Sequence, residues 1–135
     1  MKLKHSGFIL FLATILIFSI TSCEDETVQR PVNQYQVKYE IKNHLKKKCN
    51  FYIRYFNPKF DNIVAEYYDS INEWSRELKG KTFDHLYFEA FTVRDSAMFE
   101  ISIYVNGQQV VRDVDSCPGP SVCDTNRIKV SYVLQ

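Results

Sequence analysis

Glycine and proline are scarce in this chain, with four of each among 135 residues. That excludes a collagen-like repeat and a flexible low-complexity protein, both of which need those residues in quantity. Neither sign of charge dominates: 17 lysines and arginines face 16 aspartates and glutamates, a formal net charge of +1. Such a balance gives no electrostatic footprint for nucleic acid or for an acidic substrate. The motifs of common enzyme sites are missing too, with no Gly-x-Ser-x-Gly, no His-Glu-x-x-His and no glycine-rich phosphate loop. Carboxylate pairs such as Glu66/Asp69 and Asp113/Asp115 occur, but any chain with 16 acids has them. Spacing alone does not select a general acid and base. The chain reads as a non-enzyme without cofactor or metal.

No apolar run reaches the ~18 residues that suggest a spanning helix. From Gly7 to Ile20 the chain carries no charge, an apolar core of about 13–14 residues that lies within the range of a signal-peptide core. Lys2 and Lys4 precede it; Thr21, Ser22 and Cys23 follow. Ile20-Thr21-Ser22-Cys23 resembles the lipobox of bacterial lipoproteins. The resemblance implies cleavage before Cys23, a diacylglycerol on the Cys23 thiol and acylation of the new amine. Each buried methylene contributes ~0.8 kcal/mol, so two or three acyl chains make the attachment effectively permanent. Glu24-Asp25-Glu26 follows directly and resembles the export signal of surface lipoproteins of the Bacteroidota. The expected location is therefore the bacterial cell envelope, on the outer membrane and facing the surface.

Residues 1–22 are thus read as a signal peptide with a helical core, 23–34 as a lipidated tether and 35–135 as one domain. Without residues 1–22 the chain loses Lys2 and Lys4, leaving a formal charge of about −1. Aromatic residues make up 15% and, with β-branched residues, suit pleated, half-buried surfaces. Val37, Tyr39 and Ile41 alternate with Lys38, Glu40 and Lys42, which predicts a strand over 34–45. A second strand is expected over 49–57, then a turn at Asn57-Pro58-Lys59-Phe60-Asp61-Asn62. Further strands are expected over 63–68, 74–79 and 82–93, with a turn at Gly80-Lys81. Ser70 and Glu73 fit a helical capping box, but no 3.6-residue pattern follows them.

The clearest hairpin is Phe99–Val105, Asn106-Gly107 and a return over 108–114, because Asn-Gly tolerates positive φ at both turn positions. A last strand alternates over 127–134, with Ile128, Val130, Tyr132 and Leu134 inward. The expected fold class is all-β: a single immunoglobulin-like antiparallel β-sandwich of roughly seven to eight strands.

Val37-Lys-Tyr-Glu-Ile41, the aromatic strand Phe51–Phe56, Trp74-Ser75, the run from Gly80 to Ala90 and Ile101-Ser-Ile-Tyr-Val-Asn-Gly107 together resemble the C-terminal domain of the mycobacterial membrane protein small (MmpS) family. The resemblance covers most of residues 35–115. It implies an immunoglobulin-like sandwich and a role accessory to resistance-nodulation-division lipid transporters, with no catalytic residues. Here a lipobox stands in place of that family's transmembrane helix, and Ser116–Gln135 lies outside the pattern.

With Cys23 lipidated, Cys49, Cys117 and Cys123 remain in an oxidising compartment. Pro-Gly-Pro between Cys117 and Cys123 turns the chain, which favours a disulfide of that pair; such a small ring contributes ~2 kcal/mol in the chain-entropy model. The rival is Cys49 bonded to one of them. A zinc site on Cys117, Cys123 and a His or Asp fits poorly, since zinc ligands pair at gaps of about two to four residues and the histidines His44 and His85 are isolated. Asp69-Ser70-Ile71 and Asp95-Ser96-Ala97 resemble the O-glycosylation acceptors of Bacteroidota and make Ser70 and Ser96 candidate modification sites. Trp74, Tyr67 and Tyr68 are the candidate binding residues, against the alternative that they are core.

Two readings of function follow. One is a membrane-anchored lipoprotein serving as a non-catalytic binding or transport-accessory module, with an envelope protein or transporter as partner. The other is a structural envelope protein assembling through a sheet edge without a small-molecule ligand.

Overall fold

Alternate residues along most of the strands disappear from solvent. In β1 (Gln34–Asn43), Val37, Tyr39 and Ile41 are buried while Gln36 and Lys42 are exposed. In β2 (Cys49–Asn57), Phe51, Ile53 and Tyr55 are buried while Tyr52 and Arg54 are exposed. Period-two burial of this kind is what a sheet with one face on a core requires. The computed structural model describes residues 32–45, 47–93, 95–117 and 125–135, and within them six more strands follow. These are β3 (Asn62–Ile71), β4 (Glu73–Lys81), β5 (His85–Val93), β6 (Ala97–Val105), β7 (Gln108–Cys117) and β8 (Thr125–Val133).

The strands form two four-stranded antiparallel sheets, in the orders β4-β1-β6-β7 and β3-β2-β5-β8. The expected all-β sandwich is the fold observed. Its strand order is its own: β2 and β3 form a hairpin within one sheet, whereas the constant-type immunoglobulin order separates its second and third strands.

Aromatic rings join the two inner faces. Tyr39 of β1 lies 5.1 Å from Phe88 and 5.6 Å from Tyr55 of the other sheet, and Phe51 meets Phe99 edge-on at 5.1 Å. Such pairs add about 0.5–1.5 kcal/mol each beyond area burial. Tyr39 is fully buried, and its hydroxyl donates to the Phe56 carbonyl at 2.9 Å, so no polar atom there is stranded.

The Asn106-Gly107 turn forms as its sequence requires, with φ of 51° and 81°. The β2–β3 turn also lies where expected, with Asp61 at φ 50° and the Asn57 side chain accepting from the Lys59 amide at 3.0 Å.

Other boundaries differ from expectation, each for a local reason. Gly80-Lys81 is strand, not turn: Lys81 still pairs with Gln34. A Cβ at Gly80 would lie 2.6 Å from Leu134 Cδ1, so the glycine permits close packing and does not supply a turn. The turn falls at Thr82-Phe83, where Asp84 accepts from the Lys81 amide at 2.9 Å and Phe83 takes φ 72°. Hence β5 begins at His85 and not at Thr82.

The capping-box pair Ser70 and Glu73 does not start a helix. β3 continues to Ile71 through a bulge opposite Asn50, with Ser70 at φ 54° and its amide donating to Asn50 Oδ1 at 3.0 Å. Ser70 therefore caps nothing, and the chain passes from β3 to β4 at Asn72 without a helix.

Candidate binding face

The outer face of β4-β1-β6-β7 is occupied by its own ion pairs. Lys38 and Lys42 contact Glu40 at 2.6 and 2.7 Å, and the Tyr104 hydroxyl donates to it at 3.1 Å. Burial works to raise the Glu40 carboxyl pKa, but hydrogen bonds from Lys38, Lys42 and Tyr104 outweigh it and hold the value at about 2. Beside them, Glu100 takes Arg112 at 2.8 Å and His44 at 3.3 Å. Lys38 and Lys42 flank Glu40 two residues away along β1, and Arg112 reaches Glu100 diagonally from β7.

The outer face of β3-β2-β5-β8 is built differently. Register places Tyr67, Tyr52, Phe91 and Arg127 in one row across all four strands. Tyr52 stacks on Phe91 at 4.9 Å and 8° between planes, and Tyr67 follows at 4.8 Å from Tyr52. Arg127 closes the row, its guanidinium 4.5 Å from the Phe91 centroid. Tyr67 at the open end is 52% exposed and Tyr52 41%.

The next row runs Ala65, Arg54, Glu89, Lys129. Glu89 points outward as the alternation predicts, yet it is only 3% exposed, because its neighbours cover it. Arg54 bonds one carboxylate oxygen at 3.0 Å, as does the Tyr87 hydroxyl, and Arg127 approaches the other at 3.5 Å. The small side chain of Ala65 leaves a shallow depression of about 250 Å³ bordered by Tyr67, Tyr52 and Arg54.

The sequence-predicted binding residues divide. Trp74 is core: it is 8% exposed, with Tyr55, Phe88 and Tyr68 rings at 5.5, 5.8 and 6.0 Å. The reason is its place on the inner side of β4, opposite Ile41 of β1. Tyr68 faces inward as well, its hydroxyl donating to Glu66 at 2.7 Å. Arg76 bonds both oxygens of Glu66 at 3.1 Å and lies 5.9 Å from the Tyr55 and Trp74 rings, so this group closes the sandwich between edge strands β3 and β4. Tyr67 alone of the three belongs to the outer face. Tyr52, Phe91, Arg54, Glu89 and Arg127 were not singled out by sequence reasoning. Their alternation was visible, but the register that aligns them was not.

The remaining sites fall as follows. Cys23 and Cys123 lie outside the described residues. Cys117 is disulfide-bonded and Cys49 is a buried free thiol, which removes Cys49 as its partner. A disulfide sulfur cannot serve as a thiolate ligand, and His44 follows the end of β1 while His85 opens β5 in the other sheet. Among the described residues no group of His, Cys, Asp and Glu is placed to hold a metal. Ser70 is exposed at its bulge and Ser96 is half-buried beside Cys49, whose thiol donates to the Ser96 carbonyl at 3.2 Å. Glu66 and Asp69 point to opposite sides of β3. Asp113 and Asp115 sit on the inward side of edge strand β7, opposite Ile101 and Phe99, where acids protect an edge from pairing. No family model matches this chain, and no curated protein matches it.

Proposed function

We propose that this chain is a lipid-anchored, non-catalytic binding or transport-accessory module of the bacterial cell envelope, held on the outer membrane by acyl chains on Cys23 and facing the surface. The observation that carries the binding part is the contrast between the two outer faces. Both carry ion pairs, but only the β3-β2-β5-β8 face adds a row of stacked aromatic rings, with Tyr52 and Tyr67 open to solvent. The anchor rests on Ile20-Thr21-Ser22-Cys23 and the surface side on Glu24-Asp25-Glu26. The likeness to the MmpS-family domain favours a protein or lipid-transporter partner.

The test is purification from native membranes in mild detergent, followed by intact and native mass spectrometry. A mass starting at Cys23 with acyl chains, plus a bound component, supports the reading. An unacylated chain removes the anchor, and a bare monomer removes the binding role.

One observation favours the structural alternative. From Asn62 to Tyr68 edge strand β3 carries a single charge, Glu66, and Arg76 pairs with it. The edges β4, β7 and β8 all expose charged side chains. A uniform homo-oligomer dissociated by Ile63→Lys would establish assembly through β3.

A further inference from the structure

The geometry points to a carboxylated sugar ring, one residue of an acidic polysaccharide, as the ligand of the β3-β2-β5-β8 face. The inference rests on the binding-module reading above and names what that module holds.

Three features of the face select this chemistry. First, Arg54, Arg127 and Lys129 surround a single carboxylate, Glu89, which leaves a local surplus of positive charge. The near-neutral net charge of the chain conceals that surplus, because the compensating acids sit elsewhere. Second, Glu89 acts as a positioning residue. It is buried and contacts both guanidinium groups, while Arg54 and Arg127 keep side-chain exposures of 47% and 54%. Each arginine has five donors in a fixed fork, so donors remain for a planar carboxylate from solution. Third, the depression over Ala65 is bordered by aromatic rings on one side and Arg54 on the other. Residues two apart on a strand are separated by about 6.8 Å, so a pyranose lying against Tyr52 and Tyr67 would bring its exocyclic carboxylate to Arg54.

The acids define the other end. Asp69 and Asp95 lie beyond Tyr67, beside Asn50, whose amide donates to Asp95 at 3.0 Å. The face is therefore polar along its length, cationic at Arg54 and anionic past Tyr67, which orients a ligand carrying one acid group. Two tyrosine hydroxyls, on Tyr52 and Tyr67, border the depression and suit a hydroxylated ring better than an acyl chain. A site with a few convergent polar groups on an aromatic surface is the general form of a small-ligand site.

The test uses the full lipidated chain in mild detergent, titrated with oligogalacturonate and with its methyl ester, which has the same rings without the charge. Saturable binding of the acid is expected, with the ester about tenfold weaker or more. Arg54→Gln is expected to weaken acid binding about tenfold, the loss of one charge-assisted contact. Tyr67→Ala is expected to weaken acid and ester alike. Lys38→Gln on the opposite face is expected to change neither. Arg54→Lys, which keeps the charge, separates loss of the planar fork from loss of folding, and circular dichroism confirms the fold of each variant. Equal affinity for acid and ester overturns the inference, as does wild-type affinity in Arg54→Gln or an equal loss in Lys38→Gln. If neither glycan binds while the native complex retains another partner, the glycan assignment falls and the binding module stands. If nothing binds in either experiment, both fall.

Discussion

Gly80→Ala separates two physical roles for one glycine. Were Gly80 a turn residue in open space with ordinary φ, alanine would stabilise the protein by about 0.4–1 kcal/mol by restricting the unfolded chain. The structure places it in β4, where a new Cβ meets Leu134 Cδ1 at 2.6 Å, Val37 Cγ2 at 3.2 Å and Asp84 Oδ2 at 3.5 Å. Leu134 and Val37 are each 1% exposed, so neither side chain can swing out to solvent to make room. Overpacking of this kind costs about 1–3 kcal/mol. Because the closest atom is a side-chain methyl and not backbone, the expected value is near ~1.5 kcal/mol. Denaturant unfolding should show a lower midpoint with an unchanged slope, and thermal unfolding a midpoint about 6–12 °C lower. Leu134→Val removes a methylene from the contact, so the double variant should recover at least about 0.5 kcal/mol relative to additivity. A neutral or stabilising Gly80→Ala, or a strictly additive double variant, would refute the close-packing argument.

Three further outcomes follow from the same structure. Trp74→Ala should lose about 3–5 kcal/mol of stability by equilibrium unfolding, as a large core ring does, whereas Tyr67→Ala should lose under about 1 kcal/mol; equal losses would contradict the placement of Trp74 in the core and Tyr67 on an outer face. Glu40 is held at about 2 in the folded protein against 4.5 unpaired, so its contribution is fully present above pH 4.5 and is lost as pH falls toward about 2. The acid-unfolding limb of Glu40→Gln should be shallower across that window, and an unchanged limb would contradict the pairing with Lys38, Lys42 and Tyr104. Cys49 is buried, and burial raises its thiol pKa, so a thiol reagent should label it only on unfolding. Fast labelling of one thiol in the native protein would show that this end of the sandwich opens.

Much of the fold could be read from side-chain alternation. The Val37/Tyr39/Ile41 and Phe51/Ile53/Tyr55 sets, and the Asn106-Gly107 hairpin, follow from period two and from the φ tolerance of Asn-Gly. What could not be read was register. Arg54 and Arg127 are separated by more than half the domain in sequence, yet both contact Glu89, because β5 pairs with β2 on one side and β8 on the other. Nothing local in the sequence fixes those offsets. The same holds for Gly80: whether a glycine serves a turn or a close approach depends here on Leu134, some fifty residues away. The burial of Trp74 follows only once β4 is paired to β1.

The most direct measurement is native mass spectrometry of the membrane-purified protein beside two variants, Arg54→Gln on the β3-β2-β5-β8 face and Lys38→Gln on the opposite one. A binding module that uses the aromatic and arginine face should carry a bound component in the wild type and in Lys38→Gln, and should lose it in Arg54→Gln with acylation intact in all three. A component retained in Arg54→Gln but lost in Lys38→Gln would place binding on the wrong face, and an unacylated chain in every preparation would contradict the anchor.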